Sequence, residues 1–239
     1  MSNPIEQAAQ AIQNASNIVI TAGAGMGVDS CLPDFRGNEG FWRAYPALHG
    51  YPFHQMANPT WFETDPSRAW GFYGHRLNLY RRTVPHGGFQ VLRRWSQSRS
   101  HFVYTSNVDG AFQKSGFDDD QIVECHGSIH HLQLLNPNRY GEIWSANETL
   151  IDIDEENCRA LGELPTRDGQ ILRPNILMFG DWSWLSGRTA AQEDRLHEWL
   201  LETNLSDTVV VEMGAGTAIS TVRDCSEQVQ AEGATLVSI

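Results

Sequence analysis

The sequence predicts an α/β protein with a doubly wound, Rossmann-like parallel sheet and a small second domain formed by two insertions. The first observation is an alternation of apolar runs with segments of helical spacing, which is typical of a parallel sheet covered by helices on both faces. The second is that polar or glycine-rich residues follow several of these runs, where open parallel sheets bind ligands. The predicted strands lie near residues 17–22, 101–105, 121–125, 174–179, 208–212 and 234–238.

The elements between these strands divide the chain into two predicted domains. Residues 6–15 have helical spacing and end in polar residues that can cap a helix before the first strand. Two segments break the alternation: 41–85 is rich in aromatic residues, with a helix predicted over 66–82, and 131–170 is polar and rich in turn residues. We therefore predict a nucleotide-binding domain of residues 1–42, 86–130 and 171–239 and a small domain of residues 43–85 and 131–170.

Length and composition restrict the classes of protein and partner. A chain of 239 residues with 41% hydrophobic and 19% charged residues can bury one large core. No apolar run approaches the ~20 residues that span a bilayer, and the N-terminus lacks the pattern of a signal peptide, so we expect a cytoplasmic protein without a membrane partner. The net charge of -12 argues against nucleic-acid binding and favours basic protein or peptide substrates.

A glycine-rich turn directly follows the first predicted strand. Gly23 and Gly25 carry no side chain that would keep the backbone away from a pyrophosphate. The third glycine is Gly27, one residue earlier than in the common dinucleotide-binding fingerprint, so a tight strand-to-helix turn is an equally simple interpretation. Residues 34–36 then supply an acid, an aromatic ring and a cation in one loop.

Four further segments follow predicted strands and carry a recognisable order of motifs. They are Ser106-Asn-Val-Asp-Gly110, Cys125-His-Gly-Ser128, the run from Leu172 to Asp181 that ends in Phe-Gly-Asp, and the run from Val209 to Thr217 that ends in Gly-Ala-Gly-Thr. With the Gly-Ala-Gly turn and the Asp-Phe-Arg loop, these segments resemble the sirtuins, a family of NAD-dependent protein deacylases. The resemblance extends from Asn17 to Ile239.

The resemblance implies NAD as cofactor and an acylated lysine of a protein or peptide as substrate. It implies His126 and Asn107 as catalytic residues, with His126 as general base, a role that suits an ordinary imidazole pKa of about 6.5. Ile176, Phe179 and Gly180 would line the acyl-lysine tunnel. The residues implied in NAD binding are Gly23, Ala24, Gly25, Asp34, Phe35, Arg36, Ser106, Asn107, Asp109, Gly214, Gly216 and Thr217.

A Tyr-x-x-Arg spacing suggests which acyl groups the site accepts. Tyr73 and Arg76 lie three residues apart in a predicted helix and therefore on one face. This spacing resembles the sirtuins that remove succinyl and malonyl groups, because a guanidinium binds a distal carboxylate with two hydrogen bonds. The competing interpretation is a surface arginine beside a core tyrosine.

The chain departs from the family pattern in two respects that leave other functions open. Sirtuins usually carry two Cys-x-x-Cys pairs that bind zinc, which this chain lacks, so we predict no metal site. Trp144, Ile143 and Ile151 are the candidates for holding that region by packing instead. Ser106 stands where the family usually has glutamine, and Ala218 where it has serine. The alternatives are an NAD hydrolase or protein ADP-ribosyltransferase, and a nonenzymatic sensor of NAD or ADP-ribose.

Overall fold

A computed structural model describes residues 3–33, 37–216 and 218–239 of the chain. The strands found there are β1 (Asn17–Ala22), β2 (Ser100–Thr105), β3 (Ile122–Glu124), β4 (Gly127–Leu134), β5 (Trp144–Ser145), β6 (Asp152–Asp154), β7 (Arg159–Leu161), β8 (Thr166–Arg167), β9 (Gln170–Ile176), β10 (Thr208–Met213) and β11 (Thr235–Ser238). The α-helices are α1 (Pro4–Asn14), α2 (Gly37–Ala44), α3 (Phe53–Met56), α4 (Thr60–Thr64), α5 (Pro66–Arg82), α6 (Gly87–Ser96), α7 (Ala111–Lys114), α8 (Gly187–Glu202) and α9 (Thr221–Ala231).

The large sheet is parallel and has helices on both faces. Its strand order within the described residues is β11-β10-β1-β2-β3, with every neighbouring pair parallel. Ile18 and Ile20 pack in a core cluster with residues of α1 and α6, whereas Val19 packs with Val229 of α9 on the opposite face. This burial on both faces explains why β1 is a continuous apolar run. The predicted Rossmann-like fold is therefore confirmed.

One predicted strand of the parallel sheet was assigned to the wrong sheet. The apolar run near 174–179 belongs to β9, which pairs antiparallel with β4 in a second sheet of order β5-β4-β9-β8. The chain leaves the parallel sheet through the two-residue turn Cys125-His126 and enters β4 at Gly127, whose φ is +76°. Burial makes a strand apolar in either sheet, so the apolar pattern cannot report which sheet the strand joins.

The second sheet and the aromatic segment share one core. The helix predicted over 66–82 is confirmed as α5, which begins after Asp65, whose carboxylate accepts a hydrogen bond from the Arg68 amide at 3.2 Å. Trp70 of α5 and Leu172 of β9 lie in the same buried cluster. Gly71 allows close packing, because a Cβ atom there would lie 2.1 Å from the Cys158 carbonyl oxygen of the β6–β7 hairpin.

The three residues predicted to hold the small domain together by packing are buried to different degrees. Ile151 is buried in this core, and Trp144 is half-buried against it with the Arg167 guanidinium 4.3 Å from its ring centroid. Ile143 is half-buried and lies outside the cluster. The division into two domains stays a prediction, and β4 and β9 each cross one of its boundaries. Among the helices of the described residues, none is both long enough and apolar enough to cross a membrane.

Candidate active site at the carboxyl edge of the parallel sheet

Two glycine-rich turns meet where the adjacent strands β1 and β10 end. The Gly23 amide donates to the Met213 carbonyl at 3.0 Å, and the Gly25 amide donates to the Gly214 carbonyl at 3.1 Å. A Cβ atom at Gly23 would lie 2.6 Å from the Gly214 carbonyl oxygen. Gly23 is therefore required by the contact between the two turns, in addition to any ligand that the turns hold.

Gly214 is the most constrained residue of these turns. Its φ is +60°, and a Cβ atom there would lie 2.2 Å from the Met26 amide nitrogen. We expect Gly214→Ala to lower the free energy of unfolding by about 2–4 kcal/mol, because it adds left-handed strain to a clash with rigid backbone. Urea unfolding measures this change. Gly216→Ala is the matched control, since a Cβ atom at Gly216 meets nothing within 4 Å and should cost less than about 0.5 kcal/mol. Equal losses would contradict the account.

The segment after β2 is tied to the glycine turn by side-chain hydrogen bonds. The Thr105 hydroxyl donates to the Ala22 carbonyl at 2.9 Å and accepts from the Asn107 amide at 3.0 Å. The Asn107 side-chain nitrogen donates to the Gly23 carbonyl at 2.9 Å. This bond uses one of the two hydrogens on that nitrogen and fixes the carboxamide, so its oxygen is available to accept a hydrogen bond from a ligand.

Asp109 lies beside a small cavity on the same edge. One carboxylate oxygen accepts from the Ala111 amide at 2.9 Å, and its backbone carbonyl accepts from the His130 ring at 2.9 Å. Burial raises the pKa of Asp109, with a smaller contribution in the same direction from the charge of Glu124. The cavity has a volume of about 10 Å³ and is also lined by Tyr80. This polar, enclosed carboxyl group is suited to binding an amide.

His126 occupies the turn between β3 and β4, where it meets two other loops. The His126 carbonyl accepts from the Leu177 amide at 3.0 Å, and the backbone of Ser106 lies beside the ring. Burial lowers the pKa of His126, while the Ser106 backbone acts in the opposite direction. In its neutral form the ring has one nitrogen with a lone pair that can take a proton.

Cys125 does not compete with His126 for the chemistry of this turn. Its side chain is buried, and burial raises the pKa of the thiol to about 12. The thiol is therefore protonated near neutral pH and is a poor nucleophile.

The segment after β9 lies next to His126. Ile176 is buried, whereas the Phe179 side chain is 40% exposed, and its ring contacts the Phe53 ring edge-on at 6.1 Å. The Phe179 amide donates to the Ala57 carbonyl at 2.8 Å, and Gly180 follows with a φ of +66°. The three predicted acyl-lysine residues thus form one continuous segment that starts beside the catalytic candidate.

Tyr73 and Arg76 lie within the aromatic core under α5. The Tyr73 ring stacks on Phe62 at 5.6 Å, and the Arg76 side chain is buried with its guanidinium 5.3 Å from the Phe72 ring centroid. Arg76 also donates through Nε to the Tyr80 hydroxyl at 3.0 Å. The interpretation of Arg76 as a surface cation is wrong, because aromatic rings enclose its head group.

The family to which this chain belongs follows from a comparison with known protein families. The model of the Sir2 family matches residues 23–211, which include the glycine turn, Asn107, His126 and the first residues of β10, and it ends before the second turn. The chain belongs to the Sir2 family. The resemblance drawn from the motifs is thereby confirmed.

Sir2 relatives match over part of their length. The chain is 28% identical over 169 residues to an NAD-dependent protein deacylase of Aquifex aeolicus, covering 69% of the chain and 62% of the relative. It is 27% identical over 179 residues to an NAD-dependent protein deacetylase of Saccharolobus solfataricus, covering 74% and 65%. A mitochondrial sirtuin-5 deacylase of Danio rerio is 28% identical over 187 residues, covering 70% and 58%. The chain therefore spans less than two thirds of each of these relatives.

Solved Sir2 structures share the fold. A complex of a Sir2 homolog with NAD has a TM-score of 0.74 at 21% identity, covering 98% of this chain and 81% of that one. A Sir2 protein bound to an acetylated peptide has a TM-score of 0.66 at 16% identity, covering 100% and 86%. At these identities the likeness establishes the architecture.

Part of the expected Sir2 site lies outside the described residues, namely Asp34, Phe35, Arg36 and Thr217. Ala24 and Gly216 are described, and both are exposed at the two turns. In the ranges 3–33, 37–216 and 218–239, no group of three or more His, Cys, Asp or Glu side chains could hold a metal ion. The absence of a zinc site stays a prediction.

Sequence reasoning missed the buried ion pairs that support this site. Arg173 and Asp181 form a bidentate pair at 2.6 and 2.9 Å, with both side chains fully buried. Glu124, immediately before the catalytic turn, pairs with Arg188 of α8. The available signal was the charge itself, since a charged residue inside an apolar run must find a partner when it is buried.

Proposed function

We propose that this protein is an NAD-dependent protein lysine deacylase, which cleaves the nicotinamide–ribose bond and transfers the acyl group to ADP-ribose. The observation that carries the proposal is the position of His126, whose ring lies beside Ser106 in the loop after β2 and whose carbonyl accepts a hydrogen bond from the segment after β9. One imidazole thus lies between a predicted nucleotide site and a predicted acyl-lysine site. The deacylase names of the Aquifex and Saccharolobus relatives support this choice.

The described residues fit NAD. The turns at Gly23–Gly25 and Gly214–Gly216 end adjacent strands, as expected for a pyrophosphate cradle, and the space beside Gly216 is open. Gly23, Ala24, Gly25, Gly214 and Gly216 would hold the phosphates through their backbone. Ser106, Asn107 and Asp109 would bind the nicotinamide end. The contacts of Asp34, Phe35, Arg36 and Thr217 are proposed from the sequence alone.

The residues of the site divide the work of the reaction. NAD, when bound, supplies a ribose carbon that loses nicotinamide and accepts the acyl oxygen of the modified lysine. His126 would remove the proton of a ribose hydroxyl through the unprotonated nitrogen of its neutral ring. Asp109 would hold the nicotinamide carboxamide, and Asn107 would orient the ribose or a water molecule through its carboxamide oxygen. Ile176, Phe179 and Gly180 hold the acyl-lysine against this edge of the sheet.

Product analysis tests the proposal against its alternatives. The protein is incubated with NAD, with and without acetylated and succinylated peptides, and all products are weighed by mass spectrometry. Deacylation predicts nicotinamide release that depends on the peptide, together with loss of the acyl mass. Nicotinamide release without peptide would instead indicate NAD hydrolysis, and a gain of ADP-ribose mass on protein would indicate transfer. Binding of NAD without turnover would indicate a sensor.

The acyl preference of the site is a further prediction. Arg76 lies in an aromatic environment that strengthens its attraction for a carboxylate by excluding water. We expect Arg76→Met to lower kcat/KM on succinylated peptide by about 10–100-fold and on acetylated peptide by less than about threefold. Equal losses on both peptides would contradict the assignment. A thermal melt of the variant serves as the control for folding, because the side chain is buried.

The location and excluded partners of the protein stay predictions from its charge and sequence. We propose that it acts in the cytoplasm on basic, acylated proteins, without nucleic-acid or membrane partners.

A further inference from the structure

A tryptophan next to the proposed acyl-lysine segment is almost completely exposed. Trp182 is 99% exposed, whereas Trp184 two residues later is half-buried and Leu185 is buried. We call residues 177–187 the rim loop. Its other exposed apolar side chains are Leu177 at 39% and Phe179 at 40%. The rim loop therefore presents several large apolar side chains to solvent beside the proposed site.

The rim loop is held rigidly on both sides of Trp182. Asp181 forms the buried ion pair with Arg173, and its carboxylate also accepts from the Ser183 amide at 3.1 Å. The Gln133 side chain donates to the Ser183 carbonyl at 2.8 Å and accepts from the Leu185 amide at 3.0 Å. Trp182 thus projects into solvent from a backbone that buried polar side chains fix in place.

An exposed indole ring on a backbone that is held in place has the properties of a binding residue. Tryptophan offers a large contact area at a small entropy cost, and it is enriched among the residues that dominate protein interfaces. Fixing the loop before binding removes a further part of the ordering cost. A ring that served only the fold would gain stability from burial, which Trp182 does not obtain.

The position of Trp182 limits which partner atoms it can reach. It is three residues from Phe179, so the two Cα atoms are at most about 11 Å apart. An extended peptide advances about 3.3 Å per residue. A substrate whose acyl-lysine lies at Phe179 would therefore place a side chain on Trp182 within about three residues of the modified lysine.

The charge of the rim loop indicates the chemistry of that side chain. Asp181 is the one charged residue in 177–187, and its side chain is fully buried against Arg173. The rim loop itself therefore exposes apolar side chains and no charged one, which favours an apolar side chain over an acidic or basic one. We propose that Trp182 is a specificity-determining residue that binds a large apolar side chain of the substrate protein within three positions of the acyl-lysine. This inference rests on the proposed deacylase function.

A peptide series tests the inference. Acyl-lysine peptides carry one leucine at a single position up to three residues before or after the lysine, with glycine at the remaining positions. We expect the wild-type protein to prefer leucine at one or more positions by about tenfold in kcat/KM, and Trp182→Ala to reduce that preference to about twofold or less. Leu201→Ala is the matched control, because Leu201 is also an exposed apolar residue, at 74%. It lies at the C-terminal end of α8, where the Trp199 side chain donates to the Ser100 hydroxyl at the opposite edge of the sheet. The Leu201→Ala variant should keep the wild-type preference for leucine.

The outcomes separate this inference from the proposed function. An unchanged preference in Trp182→Ala, or no preference in the wild-type protein, overturns the role of Trp182 while deacylation stands. If the wild-type protein shows no turnover, fluorescence anisotropy of the labelled peptides with NAD gives the same ratio from Kd values. A preference for the leucine peptides that is lost in Trp182→Ala then supports the role of Trp182, although the proposed reaction has failed. If no peptide binds, both the role of Trp182 and the proposed function are overturned. Dimerisation abolished by Trp182→Ala in sedimentation experiments would assign the ring to a second copy and overturn the substrate role.

Discussion

Replacing His126 by alanine lowers the rate of deacylation by about 10²–10⁴-fold, because the variant has no group at this position to take the ribose hydroxyl proton. The Kd of NAD should change by less than about threefold, since the proposed phosphate contacts come from the glycine turns. Steady-state assays and calorimetric titration with NAD measure the two effects. His197→Ala is the control, because His197 is exposed on α8 away from the catalytic turn, and its rate should match the wild-type rate.

The pH dependence of the reaction is a second test of His126 as the general base. A general base acts in its neutral form, so activity is lost as pH falls through the pKa of His126. Because burial lowers that pKa below 6.5, kcat/KM should remain nearly constant down to about pH 6.5 and decline below it. A decline with its midpoint above pH 7 would show that another group controls the proton transfer. A rate for His126→Ala equal to that of the wild-type protein would remove His126 from the mechanism.

Breaking the buried ion pair under the rim loop has the largest expected effect on stability. Asp181→Asn leaves the Arg173 guanidinium without its charge partner in a fully buried position. We expect the free energy of unfolding to fall by about 3–5 kcal/mol, since an uncompensated buried charge is strongly unfavourable. Urea unfolding at pH 7 measures the loss. Asp152→Asn is the matched control on an exposed residue and should change stability by less than about 0.5 kcal/mol.

A double variant separates charge from packing in this pair. Arg173→Met combined with Asp181→Leu replaces both charges with apolar side chains, and it should recover at least half of the stability lost in Asp181→Asn. No recovery would mean that the hydrogen bonds of Asp181 to the Met178 and Ser183 amides, rather than the charge pair, hold the rim loop.

The strands of the parallel sheet were predictable because their signal is local. Burial on both faces makes β1 and β10 uninterrupted apolar runs, and the predicted bounds agree with the observed ones within a residue. The run near 174–179 also contains part of a strand, β9, but β9 pairs with the adjacent β8 and with β4, which lies about forty residues earlier in the chain. Pairing across such a distance depends on the turn at His126 and on Gly127, whose conformation the apolar pattern does not encode.

The residue types of the candidate site could be predicted from the sequence, but the packing contacts that hold these residues in place could not. Glycines after a strand and a histidine before Gly-Ser indicate that a ligand binds at this edge of the sheet. In the structure the Asn107 side chain donates to the Gly23 carbonyl, and His126 lies beside Ser106. The sequence explains Gly23 only by the close approach of a ligand. The structure adds a second reason, because Gly214, far along the chain, leaves no room for a side chain at Gly23. The burial of Arg76 was equally hidden, since its aromatic surroundings come from tertiary packing rather than from the helix itself.

We propose that the His126 ring faces the ribose of NAD in the crevice between the glycine turns and the segment after β9. A crystal structure of the protein with NAD and an acyl-lysine peptide tests it most directly. We expect the phosphates at Gly23–Gly25 and Gly214–Gly216, and a His126 ring nitrogen about 2.6–3.2 Å from a ribose hydroxyl, or one water molecule away. A nucleotide bound elsewhere, or a His126 ring turned away from the sugar, would contradict it.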